Sequence, residues 1–90
     1  MNNLLFKRND ADFLATKMGD EMVIMNKESG QFLGLNNVGV DIWELLTTTQ
    51  SLETLVNELL KEYSVTREQC TLEVQLFTDQ LKKQNMLIFI

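Results

Sequence analysis

The pattern of apolar and polar positions divides the chain into a strand-rich first part and a helical second part. From residue 12 onward, short alternating runs are separated by two turn signals, Gly19-Asp20 and Glu28-Ser29-Gly30. Such runs predict three strands joined by short turns, which together form an antiparallel meander. The predicted strands span residues 12–18, 21–26 and 31–35.

After residue 37, the apolar side chains recur at helical spacing. Ser51 and Thr66 are good N-caps for a second and a third helix, and Thr66 with Gln69 fits a capping box. The third helix is predicted to run to about Gln84, with Asn85 as its C-cap. The predicted helices span residues 38–46, 51–63 and 66–84.

The order of the predicted elements, βββααα, indicates an α+β fold with a winged helix-turn-helix-like arrangement. We expect a single domain over residues 1–90, with a core of about 12–87. Residues 1–11 are polar and uneven, which predicts a loose leader or a weak first strand. The β-prone tail of residues 87–90 has two placements that stay open: it covers the edge of the third strand, or it packs elsewhere.

The third helix has two apolar faces. Leu72 and Leu76 lie far around the helix from its main apolar face. Two interpretations of this second pair stay open: it packs under the C-terminal tail, or it lines an apolar groove. The main face consists of Cys70, Val74, Phe77 and Leu81.

The composition argues against several classes of function. The 13 acidic and 8 basic residues give a net charge of −5, whereas nucleic-acid binders usually carry a basic surplus. The chain has no histidine and a single cysteine, Cys70, so we expect a buried structural thiol, no zinc site and no cofactor. No catalytic set of residues can be assembled, and we therefore expect a binding module rather than an enzyme.

The sequence also bears on the compartment. The N-terminal stretch lacks a charged start and a long apolar run, so we expect no signal peptide. The longest apolar run has four residues, which is too short to span a membrane. With no disulfide to protect, a reducing cytoplasm is the expected location, with no membrane and no nucleic acid among the partners.

The third predicted strand is the strongest candidate for a binding site. The outer strand of a small meander has a free edge, which can pair with an extended peptide. Gly34, in the middle of this strand, has no side chain where a guest backbone would approach. A bulge, or a bend before the helix, is the alternative explanation for this glycine.

The same region carries a family resemblance. Residues 28–46 read ESGQFLGLNNVGVDIWELL, which fits the pattern ESG-x-[YF]-x-x-LN-x-x-G-x-x-[IV]W-x-L-[LI]. On this motif the chain resembles the PqqD-like family, the recognition elements for RiPP precursor peptides, over roughly residues 13–87. It looks like a stand-alone version, as in lasso-peptide or pyrroloquinoline quinone biosynthesis.

The resemblance implies a fold and a function. Members have three antiparallel strands followed by three helices, and they bind the leader segment of a precursor peptide. The leader adds as a strand to the third strand and lays side chains into a groove against the third helix. The implied partners are the precursor leader peptide and a modifying enzyme, either a leader protease or a radical-SAM enzyme, with a lasso-peptide setting favoured.

Carried onto this chain, the resemblance gives a set of peptide-binding residues. Main-chain pairing is expected from the third strand, and groove walls are expected from the third helix. The strand residues are Leu33, Gly34 and Leu35, with Phe32 supporting the sheet. The helix residues are Val74, Phe77 and Leu81, or alternatively Leu76. A winged-helix DNA-binding regulator, with the third helix as its recognition helix, is the alternative function.

Overall fold

The protein folds into two small antiparallel sheets and three helices across residues 4–90, which the computed structural model describes. The strands are β1 (Phe6–Arg8), β2 (Phe13–Met18), β3 (Glu21–Asn26), β4 (Phe32–Leu35) and β5 (Leu87–Phe89). The helices are α1 (Asn37–Leu45), α2 (Leu52–Leu59) and α3 (Arg67–Lys83).

The main sheet is the predicted meander, with strand order β2-β3-β4. Gly19 and Gly30 have φ angles of +70° and +78°, in the left-handed region that tight turns require and that glycine adopts without strain. The α+β fold, in which a three-stranded antiparallel sheet precedes the helices, is thereby confirmed.

The N-terminal strand and the C-terminal tail pair with each other. β1 and β5 form an antiparallel ladder in which Phe6 is opposite Phe89, and their rings lie 5.7 Å apart. Phe6 and Gln50 also exchange two main-chain hydrogen bonds of 2.8 Å. The tail therefore does not cover the edge of β4, which has no strand partner on its outer side within residues 4–90.

Side-chain caps fix where the helices begin. The Asn36 side chain accepts a hydrogen bond of 2.9 Å from the Gly39 amide, and this cap starts α1 directly after β4. Ser51 caps α2, and its reciprocal partner is Thr54, which completes a capping box. These bonds satisfy amide groups that the first turn of a helix leaves without intrahelical acceptors.

The two ends of α3 differ from the prediction in detail. Thr66 caps the helix by accepting from the Gln69 amide at 3.1 Å, but the Gln69 side chain faces Glu73 instead of returning to the cap. The C-cap is Gln84, and Asn85 follows it with a φ angle of +59°. The Met86 amide then reaches back to the carbonyl oxygen of residue 81, as in a Schellman motif.

The core lies between the inner face of the main sheet and the helices. Ile24 on β3, Trp43 on α1 and Leu55 on α2 are at most 2% exposed. Arg8 on β1 extends over the indole of Trp43 at 5.3 Å and donates a hydrogen bond to its carbonyl oxygen. Within the part of the chain that the structure describes, no helix combines the length and the hydrophobicity needed to cross a membrane.

Candidate functional site

The outer edge of β4 offers unpaired main-chain groups. The Asn26 amide donates to the Gln31 carbonyl oxygen at 2.8 Å, so the polar groups of residue 31 face β3. Along an antiparallel strand this direction alternates from residue to residue. The amide and carbonyl groups of Phe32 and Gly34 therefore point away from β3, toward the free edge.

This register corrects part of the expectation for β4. Leu33 and Leu35 were expected to pair with a guest backbone, but their main-chain groups face β3, opposite Ile24 and Met22. Their side chains point into the molecule: Leu35 is 3% exposed, and Leu33 packs against the core. Both residues anchor the strand rather than present its edge.

The other two residues of β4 lie on the outer face of the sheet. Phe32 is 70% exposed. A Cβ atom added at Gly34 would meet no atom within 4 Å, so a small side chain fits there in the free protein. The absence of a side chain at Gly34 is therefore not required by the fold.

A groove of about 420 Å³ begins where β4 passes into α1. One wall is the start of α1, with the cap Asn36 and Val38; the opposite wall is a stripe of α3 that includes Leu76 and Phe77. A second opening, about 490 Å³, lies at the other end of β4 between Phe32 and the C-terminal end of α3. The two openings thus lie near opposite ends of β4, one beside Phe32 and the other beside Asn36.

Gly39 makes the base of the groove possible. A Cβ atom at this position would lie 3.3 Å from the Phe77 ring and 3.3 Å from the Leu35 Cβ atom, closer than ordinary contact. The missing side chain lets α1, β4 and α3 meet at one point. This residue is fixed in the sequence motif, but the sequence alone did not reveal its packing role.

The residues predicted on α3 divide into two groups. Val74 and Leu81 are fully buried in the core, so the expectation that they wall the groove is wrong for the groove beside β4. Leu76 lines this groove and is 62% exposed, and the half-buried Phe77 lines it at the border of the core. Leu72 is 58% exposed as well, and the second apolar face of α3 therefore does not pack under the C-terminal tail.

The electrostatic character of the groove comes from one residue. Glu73 is the one charged side chain among the residues that line the groove of about 420 Å³. It is exposed, and its carboxylate accepts a long hydrogen bond of 3.4 Å from the Gln69 amide group. Sequence analysis missed Glu73 because a single acidic residue on a helix usually indicates a solvated face.

Two titratable groups near the site have perturbed pKa values. The Tyr63 hydroxyl donates a hydrogen bond to Asp41, and this bond, more than burial, raises the pKa of Tyr63 to about 12. Burial raises the pKa of the Cys70 thiol. Cys70 is 4% exposed, which confirms the prediction of a buried thiol.

Comparison with protein families decides the assignment of the chain. A family described as "Coenzyme PQQ synthesis protein D (PqqD)" matches residues 21–87. The chain belongs to the PqqD family. A comparison with curated protein sequences finds no match.

Two solved structures resemble this PqqD-family chain. One is "TbiB1 in Complex with the TbiA(beta) Leader Peptide", with a TM-score of 0.79 and 30% identity over 90% of this chain and 93% of the other. The second is "Lasso peptide synthetase B1 complexed with the leader peptide", with a TM-score of 0.76 over 92% of this chain and 96% of the other. The second is 21% identical and supports the fold alone.

Proposed function

We propose that this PqqD-family domain binds the leader segment of a ribosomally synthesised precursor peptide. The leader adds as a strand to the free edge of β4 and lays side chains into the groove against α3. The observation that carries this proposal is the outward direction of the main-chain groups of Phe32 and Gly34 beside an unfilled groove. The relative at 30% identity, TbiB1, is a complex with a leader peptide, which supports the same role here.

The energetics of strand addition suit a carrier. Each main-chain hydrogen bond contributes about 1 kcal/mol net, and each anchored apolar side chain contributes roughly 1.5–3 kcal/mol. Ordering a flexible peptide costs about 2–5 kcal/mol. The four main-chain groups of Phe32 and Gly34 and two anchors together contribute up to about 10 kcal/mol, of which up to about 8 kcal/mol remains after the ordering cost. This free energy corresponds to a dissociation constant of about micromolar, which permits release to an enzyme.

The proposal includes a role after binding. A non-catalytic domain of this kind presents the precursor to a modifying enzyme of the same pathway. We favour a lasso-peptide protease and cyclase as this enzyme over a radical-SAM enzyme or the pyrroloquinoline quinone pathway, since a lasso peptide synthetase B1 has the same fold.

The test is calorimetric binding of synthetic leader segments from short reading frames encoded beside the gene, with scrambled peptides as controls. We expect saturable, sequence-dependent binding at micromolar concentrations or below. The absence of binding by a folded protein, verified by the buried Trp43, would contradict the role.

A substitution at Gly34 locates the site. Gly34→Pro removes an outward-facing amide, and an edge strand tolerates proline where its amide faces solvent. We expect at least a tenfold loss of affinity. The matched control, Gly34→Ala, keeps the amide and places its Cβ atom in open space, so its affinity should change by less than about threefold. Equal affinities of the two variants would place the peptide elsewhere.

A further inference from the structure

A second cavity lies beyond the groove, under the N-terminal half of α3. Its volume is about 130 Å³. Leu59 of α2 and Val74 of α3 form its inner wall, and both are at most 1% exposed. Tyr63 and Val65, from the segment that joins these helices, form its outer rim. The lining is almost entirely apolar.

The cavity and the groove beside β4 have two lining residues in common. Val38 at the start of α1 and Glu73 on α3 line both spaces. Asn36, directly after β4, lines the groove, so the cavity adjoins the groove at the end where β4 passes into α1. A peptide side chain that occupies this end of the groove lies next to the mouth of the cavity.

One of the two rim residues, Tyr63, is held in place by a hydrogen bond. The Tyr63 hydroxyl donates a hydrogen bond to Asp41 on α1, which fixes the ring beside the cavity. Val65 is 42% exposed and has no such restraint in its side chain. The rim is therefore fixed by a hydrogen bond at Tyr63 but not at Val65.

We propose that this cavity receives one aliphatic side chain of the guest peptide, of the size of leucine, isoleucine or methionine. The proposal rests on the proposed function and adds a specificity pocket to it. An apolar cavity of about 150 Å³ takes up a molecule the size of benzene, so the volume here suits a single branched side chain. The carboxylate of Glu73 at the mouth disfavours an acidic residue.

The pocket also makes Val74 part of the proposed peptide-binding surface. Val74 is buried and does not line the groove beside β4, but it lines the cavity. An inserted side chain would contact Val74 and Cys70 directly. The peptide-binding surface then consists of an edge, a groove and one deep pocket.

The test fills the pocket and compares it with a variant that leaves it open. Cys70→Leu adds bulk inside the cavity, whereas Gln75→Leu places the same side chain at an exposed position of α3 that lines neither the cavity nor the groove. The probe is the synthetic leader segment that binds the wild-type protein most tightly. We expect Cys70→Leu to weaken its binding at least tenfold and Gln75→Leu to change it less than threefold, with both variants folded.

An alanine scan of the same peptide completes a double-mutant cycle. One aliphatic position should lose affinity on the wild-type protein and lose none on Cys70→Leu. Unchanged affinity of the folded Cys70→Leu variant overturns the pocket, while binding of the wild-type protein still supports the leader-binding role. If no segment binds the wild-type protein, both proposals fail.

A measurement on the wild-type protein covers the case in which Cys70→Leu does not fold. In the complex with the unlabelled peptide, nuclear Overhauser effects should connect the labelled methyl groups of Val74 and Val65 to guest methyl protons. Contacts to Leu76 without any to Val74 would show a peptide that stays in the groove and would overturn the proposal.

Discussion

At the scale of single residues, the direction of the main-chain groups on β4 decides which atoms can bind a peptide. The motif around Phe32 and Gly34 identifies the strand, but it cannot say which residues face outward. Which residues face outward depends on the turn before the strand, where Gly30 adopts a φ angle of +78° and the Asn26 amide donates a hydrogen bond to the carbonyl oxygen of residue 31. One more residue in this turn would reverse the direction of every main-chain amide and carbonyl group along β4.

The expectation that Val74 and Leu81 line the groove beside β4 was wrong for a related reason. Helical periodicity correctly places both residues on the main apolar face of α3. The most apolar face of a helix is the one that the core buries, however, so a binding groove receives the neighbouring face. That neighbouring face carries Leu76 with Glu73 and Gln80, a mixed composition that periodicity does not distinguish from a solvated surface.

Tyr63 provides a prediction at the residue scale, since it is the sole tyrosine of the chain. Its hydrogen bond to Asp41 raises its pKa from 10.0 to about 12. The stabilisation is complete below pH 10, because both states are then protonated, and it is lost as the pH rises through about 12. The ultraviolet absorbance of tyrosinate should show a midpoint near 12 in the folded protein.

The control for this titration is Tyr63→Phe, in which the free energy of unfolding should fall less steeply above pH 10. The difference between the two proteins is the relevant quantity, because it isolates the contribution of Tyr63. A folded-state midpoint close to 10 would show that the bond to Asp41 contributes nothing.

At the scale of elements, the contact between α1, β4 and α3 sets the shape of the groove. Gly39, in the first turn of α1, allows Leu35 and Phe77 to approach to within 3.3 Å of the position where a Cβ atom would lie. The N-cap Asn36 holds the start of the helix at this point. The end of β4 and the base of the groove are therefore built by one short segment.

Gly39→Ala tests this contact. Alanine in place of glycine favours a helix by about 1 kcal/mol, whereas overpacking at a buried position costs about 1–3 kcal/mol. We expect a net loss of about 1 kcal/mol in the free energy of unfolding, together with weaker leader binding as Phe77 moves into the groove. Chemical denaturation and calorimetry measure the two effects.

Gly34→Ala is the matched control for Gly39→Ala, because its Cβ atom meets open space. Its free energy of unfolding should stay within about 0.5 kcal/mol of the wild-type value. A more stable Gly39→Ala variant with unchanged affinity would show that this glycine is not needed for close packing.

The elements themselves were largely predictable, and their long-range pairing was not. Alternation and capping residues located β3 to the residue and the starts of α2 and α3 correctly. The pairing of β1 with β5 joins segments at opposite ends of the chain. No local pattern specifies a pair between segments so far apart in the sequence.

At the scale of the whole molecule, the charge distribution agrees with a peptide as the partner. The net charge of −5 creates a field that repels phosphate backbones and attracts basic segments. The helix that a winged-helix regulator would insert into DNA carries acidic residues among its basic ones: Arg67, Glu68, Glu73, Asp79, Lys82 and Lys83.

The main sheet also provides an internal control, since both of its outer strands have free edges within residues 4–90. The edge of β2 presents the main-chain groups of Ala15 and Lys17, by the same alternation that applies to β4. These groups lie two strands away from α3 and its groove. A specific peptide site at β4 should therefore leave them unchanged.

The most direct test of the central claim is amide hydrogen exchange of the wild-type protein with and without a saturating leader segment. The amides of Phe32 and Gly34 should exchange at least tenfold more slowly in the complex, while those of Ala15 and Lys17 keep their rates. Slower exchange along β2, or unchanged exchange at Phe32 and Gly34 despite binding, would contradict strand addition at β4.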